Sequence, residues 1–249
     1  MNCRASKLIT YLIVGCAFFG LNSQYSKAAV VTFTGSSGTL DASATFALTG
    51  TTLTVTLTNT SPNDVLMPTD VLQAVFFNTS GTLTPVSASL NGSSVFYGSI
   101  VNNVGEGWSY ASGISAHGEN SGISAAGLGV FGAPNFFSPP VTPLDGTDYG
   151  ILSAGDNPAT GNSGVTGHGP LIQDSVQFTL TTDGTFSLDD LGSSVVFQYG
   201  TGLDEPSFNG PMRPGTPSAP EPMSLVVWST LLGTFGTCYA FRRNRQRPV

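Results

Sequence analysis

The side chains able to do chemistry in the middle of this 249-residue chain are few: two histidines and a set of acids. His117 and His168 each sit in a glycine-rich stretch, as expected for turn or surface positions and not for a positioned base. A nucleophile elbow needs Gly-x-Ser-x-Gly. Gly113-Ile114-Ser115-Ala116-His117 comes nearest and lacks the last glycine. No cysteine and no His pair at i, i+4 offers a zinc site in this region. The acids fall in four groups: Asp145 with Asp148, Asp156 beside Asn157, Asp189-Asp190, and Asp204-Glu205. Loop carboxylates of this kind can supply oxygen ligands to calcium, so Asp145, Asp148, Asp156, Asp189 and Asp190 are the candidate metal residues. Their spacing does not match a twelve-residue EF-hand loop. Asp and Asn also occupy turns because they bond to nearby backbone, and that is the stronger reading. A glycosidase needs two carboxyls roughly 5–9 Å apart, and no spacing here selects a pair. Trp108 and Tyr110 beside Glu106, with Phe131, Phe136, Phe137 and Tyr149, could stack on sugars, though core packing is the commoner role for such rings.

The elements that must position these residues are strands. Thr52–Thr58 alternates Leu53, Val55 and Leu57 with threonines, the period of a strand with one buried face. With Thr45–Leu48 and the link Thr49-Gly50-Thr51 it predicts a hairpin. Val71–Phe77 is continuously apolar and predicts a strand buried on both faces. Further strands are expected at Val30–Thr34, Val86–Leu90, Ser94–Tyr97, Gly107–Ala111, Leu128–Phe131, Tyr149–Leu152, Ser175–Leu180 and Val195–Tyr199, with Asn91-Gly92 as a two-residue hairpin turn. Residues 132–170, rich in glycine and proline, predict a long ordered loop region. Ser112–Gly118 recurs nine residues later as Ser121–Gly127, a pair of similar strands or turns. Many short strands and almost no helix predict an all-β domain, a β-sandwich or jelly-roll-like fold over residues 29–204, followed by a proline-rich linker at 205–219.

Both ends have a different character. Residues 1–28 have the order of an export signal: Arg4 and Lys7, an apolar run from Leu8 to Leu21, then Ser26-Lys27-Ala28 for cleavage after Ala28. Ile13-Val14-Gly15-Cys16 offers a rival, a lipidated Cys16. Removing the two ends leaves fourteen acidic residues against the single Arg213 in 29–219, a formal charge of −13. Such a surface repels nucleic acid, and anionic polysaccharide unless cations intervene, and it tolerates divalent cations. All three cysteines lie in the ends, so the exported part uses no disulfide.

The last thirty residues run Pro220-Glu221-Pro222, an uncharged segment Met223–Phe241, and a basic end at 242–247 with Arg242, Arg243, Arg245 and Arg247. As a helix the uncharged segment would be roughly 28 Å long, near the ~30 Å hydrocarbon core of a bilayer. Arginines after a span are retained in the cytoplasm, which places the preceding domain outside. This order resembles the PEP-CTERM sorting signal of bacterial surface proteins. The resemblance implies recognition and processing by an exosortase, membrane anchoring during sorting, and a final place at the cell surface or in the extracellular matrix, with extracellular polysaccharide as a candidate partner. The blocks 61–72, 145–157 and 195–200 of the domain likewise resemble one family of exosortase-dependent surface proteins, which implies a shared extracellular domain without a known reaction. The expectation is a non-catalytic structural or interaction protein, with a carbohydrate-binding or calcium-dependent adhesion module as the alternative and a secreted hydrolase third.

Overall fold

The computed structural model describes residues 28–98, 102–137, 143–144, 146–167 and 169–213. The export signal before Ala28, Asp145, His168, and the whole sorting tail with its span and arginines lie outside these residues. Among the described residues no helix is long and apolar enough to cross a membrane.

The protein is all-β. Its strands are β1 (Ala29–Ser37), β2 (Leu40–Thr49), β3 (Thr52–Asn59), β4 (Leu72–Phe77), β5 (Leu83–Leu90), β6 (Ser94–Phe96), β7 (Ser109–Ala116), β8 (Glu119–Ser124), β9 (Ile151–Leu152), β10 (Leu171–Gln173), β11 (Ser175–Thr182), β12 (Ser194–Tyr199) and β13 (Ser207–Arg213). Three short 3-10 turns interrupt them. One hydrogen-bonded path runs β5-β11-β3-β2-β1-β13-β12-β4-β9-β10-β6, with β8 added to β4 and β7 to β8. The two halves of this path face each other, giving a nearly closed barrel or sandwich.

The alternation in the sequence is what fills the space between the halves. Phe46, Val55, Leu57 and Phe178 point inward and are fully buried, while the threonines between them point out. Phe46 meets Phe77 of the opposite half edge-on at 5.3 Å, and Trp108 meets Phe178 at 4.8 Å. Each such ring contributes about 1.5–3 kcal/mol by burial. β4 is buried on both faces, as its continuous apolar run requires: on its outer side Ala74 and Phe76 pack with Val196 of β12, Ala116 at the end of β7, and Ala126 and Leu128 of the loop after β8.

The β2–β3 hairpin forms as expected, with Gly50 at φ +59 in its turn. Other expectations are corrected. Asn91-Gly92 does not close a hairpin, since β5 pairs with β11 whereas β6 pairs with β10. Both chains pass from one half of the sheet to the other here. Asp174 bends β10 into β11 at φ +76, and the Ser93 hydroxyl donates to the Ser175 carbonyl at 2.6 Å. Bends of this kind make the corners of packed sheets. Leu128–Phe131 is a turn and not a strand: the amides of Val130 and Phe131 both donate to the Gly127 carbonyl, and Leu128 and Gly129 take positive φ. Residues 205–219, expected as linker, instead supply β13, which joins the two halves by pairing with β12 and with β1. Its Pro211 hid the strand, because proline normally argues against one. The two repeat copies are neighbours in the β7–β8 hairpin but not equivalent. The first ends in the hairpin turn at His117-Gly118, while the second runs out of β8 into the following loop.

The ladder also sorts the loops by end. Ala29, the β2–β3 turn, residues 78–82, the His117 turn, residues 183–193 and Arg213 lie at one end. The described parts of the long connections, at 60–71, 125–137, 146–150, 153–167 and 200–206, lie at the other.

Candidate functional site

The long-loop end carries most of the residues singled out in the sequence. Its frame is a small core of Val65, Val71, Leu152, Val165 and Leu171, which pins loop 60–71 to loop 153–170. Across it the Asp156 carboxylate accepts from the buried Val65 amide at 2.7 Å. Burial first, and the neighbouring Asp64 charge, push the Asp156 carboxyl above its ordinary range, against the lowering effect of the Val65 bond. Asp64 accepts from the Asn157 amide and the Thr160 hydroxyl. Asp70 accepts from the amides of both Leu66 and Met67. These three carboxylates act as clamps on backbone.

Two further acids, Asp190 and Glu205, do the same. Asp190 accepts from the Ser187 amide and the Ser187 hydroxyl accepts from the Asp189 amide, a reciprocal cap on the short turn at Leu188–Leu191. Glu205 accepts from the amides of Thr201 and Gly202 and so closes the 200–206 loop. Asp148 lies apart from Asp156 in the loop leading to β9, packed so closely against Gly169 that a Cβ there would meet its carboxylate. Among the described residues no three His, Cys, Asp or Glu side chains gather where a metal ion could sit. Asp148, Asp156, Asp189 and Asp190 thus form no such group among the described residues, and Asp145 lies outside them.

One acid does meet an aromatic hydroxyl. Tyr149 donates to Glu106, and burial, this bond and the Glu106 and Asp148 charges together hold the phenol protonated. Tyr149 reaches this position with φ +61, a conformation that side chains rarely adopt. Glu106, Asp148 and Tyr149 line a cavity of about 30 Å³. That holds one water and admits no sugar ring. His117, at φ +54 in the β7–β8 turn, has Nε2 2.8 Å from the Gln198 side-chain oxygen and its ring against Phe76. The candidate rings serve mostly as core: Trp108, Tyr110 and Phe136 are buried, and only Phe137 is exposed among those singled out.

Polar locks within the core left no signal in the sequence. Asn59 is fully buried; its amide nitrogen donates to the Ile151 carbonyl at 3.0 Å and its oxygen accepts from the Ser61 amide at 3.1 Å. The Tyr199 hydroxyl, pushed up mainly by burial, donates to the Asp41 carbonyl at 2.8 Å. Together they tie β3, β9 and β12 across the two halves. Gln198, also buried, donates to carbonyls of the 200–206 loop. Of these only Gln198 is a polar position inside an apolar run, Val195–Tyr199; Asn59, between Thr58 and Thr60, has no such setting.

The described parts of these loops are held by acids on a body whose other end carries Ala29 and Arg213. Comparison of the chain with protein-family models, with curated proteins and with solved structures returns no match.

Proposed function

We propose that this chain is an exported bacterial surface or extracellular-matrix protein, a β-sandwich or jelly-roll-like domain sorted and processed by an exosortase, with a structural or interaction role and no catalysis. The observation that carries the reading is the sequence of features in the tail: Pro220-Glu221-Pro222, the uncharged segment Met223–Phe241 and the arginines at 242–247, with an export signal at the other end of the chain. The topology agrees with it. β1 begins at Ala29, directly after the expected cleavage point, and β13 ends at Arg213, where it pairs antiparallel with Thr32. Both targeting segments thus leave the same end of the domain, and the ordered long loops face away from that end. A domain tethered in this way presents its loops outward before and after the tail is cut.

The test is processing in a host that carries an exosortase. The wild-type chain is expected as a shortened, released or surface-bound form. Glu221→Ala, or deletion of residues 242–247, is expected to accumulate at full length in the membrane fraction. Normal maturation of both variants refutes the reading.

A further inference from the structure

Arg213 is the only cation between Ala28 and the sorting motif, in a domain with fourteen acids, and it makes no ion pair among the described residues. Its Nε donates instead to the Thr34 hydroxyl at 2.5 Å. This places it at one end of an open cleft of about 810 Å³, within the ~300–1,000 Å³ usual for ligand pockets. The cleft exists because β1 and β13 pair only at Thr32–Arg213 and Phe33–Met212 and then part. Beyond those pairs β1 crosses close above β13: a Cβ at Gly35 would meet the Asn209 carbonyl at 2.7 Å, so glycine is needed for the crossing.

Thr32, Thr34, Ser36, Ser43 and Asn209 bring hydroxyls and an amide to walls that Ala42 and Pro211 make partly apolar, and no aromatic ring lines the cleft. Thr32, Thr34 and Ser36 stand on one face of β1 by its period of two. From Thr32 to Ser36 the strand covers roughly 13 Å, the length of a short oligosaccharide. Asp41 stands opposite Ser36 at the far end. The polarity runs one way, from guanidinium through hydroxyls to carboxylate.

We infer that this cleft is a binding site for a short carboxylated saccharide, a uronic-acid oligomer, with its carboxylate on Arg213 and its ring hydroxyls on the threonine and serine row. With Nε held by Thr34, the guanidinium is fixed in plane and its two terminal nitrogens remain for a bidentate carboxylate bond. The Asp41 charge sets the direction, since a carboxylate at that end is repelled while sugar hydroxyls can donate to it. The domain's −13 charge repels an acidic polymer as a whole, which limits the ligand to a short oligomer held at the domain's one cation. The inference uses only residues of the folded domain, so it stands or falls separately from the sorting tail.

The experiment is calorimetric titration of the full chain in detergent with α-1,4-linked trigalacturonate, beside the neutral trisaccharide of the same linkage. Saturable binding of the acidic trimer is expected, weakened by added salt, with the neutral trimer at least about tenfold weaker. Arg213→Gln is expected to cost about tenfold or more, and Arg213→Lys to recover only part, because a lysine cannot form the fork. Thr34→Val, which frees the guanidinium, is expected to fall between, and it serves as the decisive variant if Arg213→Gln does not fold. The inference is overturned if the acidic trimer does not bind at about 10 mM, an affinity weaker than ~3 kcal/mol. It is overturned equally if the neutral trimer binds as well, or if a folded Arg213 or Thr34 variant binds like the wild type.

Discussion

Asp156 separates the two roles open to the loop acids. If it clamps backbone, Asp156→Ala and Asp156→Asn must behave differently. Alanine leaves the Val65 amide without its partner, and Val65 is buried at 3 % exposure. Losing a hydrogen bond to a charged acceptor costs about 1.5–3 kcal/mol. Relief from the desolvated charge and from Asp64 offsets part of this, so about 1–2 kcal/mol of net destabilisation is expected. Asparagine keeps an oxygen for the Val65 amide and removes the charge, so it is expected to lie within about 0.5 kcal/mol of wild type at neutral pH, or above it. The pH dependence has a definite sign. The Asp156 carboxyl is raised in the folded state, so the stability it contributes is fully present below its unfolded value and is lost as pH rises through the folded value. Asp156→Asn should therefore gain on wild type over that interval. Urea denaturation followed by fluorescence of buried Trp108, with and without calcium, measures all of this. Equal damage from both substitutions would refute the clamp. So would a calcium-dependent rise in wild-type stability that Asp156→Asn abolishes.

Two further outcomes follow from the polar contacts. Asn59→Ala strands the Ile151 carbonyl and the Ser61 amide, so about 2–4 kcal/mol of destabilisation is expected in the same urea assay, with a loss near zero counting against the lock. Asp183 at the opposite end accepts from the Thr185 hydroxyl and amide and from the Thr82 amide, and these bonds hold its carboxyl down at about 2 from an ordinary 3.8. Its contribution is present above the unfolded value and is lost as pH falls through about 2. Acid unfolding of Asp183→Asn should accordingly be flatter than wild type between those limits, and parallel curves would remove this contribution.

Much of the fold was legible in local pattern. The Leu53, Val55, Leu57 alternation marked β3 and its inward face, and the unbroken Val71–Phe77 run marked β4 as covered on both sides. These signals are local because side chains alternate across a strand wherever it pairs. What failed were inferences about partners. Asn91-Gly92 looks the same whether the chain turns back on itself or crosses to another sheet, and only the Ser175 contact and the bend at Asp174 decide between them. β13 was hidden by prolines, which its pairing between β12 and β1 accommodates.

The functional reading divides in the same way. The order of charge and hydropathy at the two ends is a property of the chain itself, and the acidic, cysteine-free middle can be counted directly. Whether a carboxylate is a ligand or a clamp depends on what stands within about 3 Å of it, and no spacing in the sequence encodes that distance. Tertiary structure therefore assigned Asp156 to Val65, Asp190 to Ser187 and Tyr149 to Glu106. It also brought Arg213, the last described residue, against Thr34 near the domain's beginning. Sequence could report that the domain has one arginine. Only the parting of β1 from β13 gave that arginine a cleft to stand in, because long-range strand pairing determines where two distant segments meet.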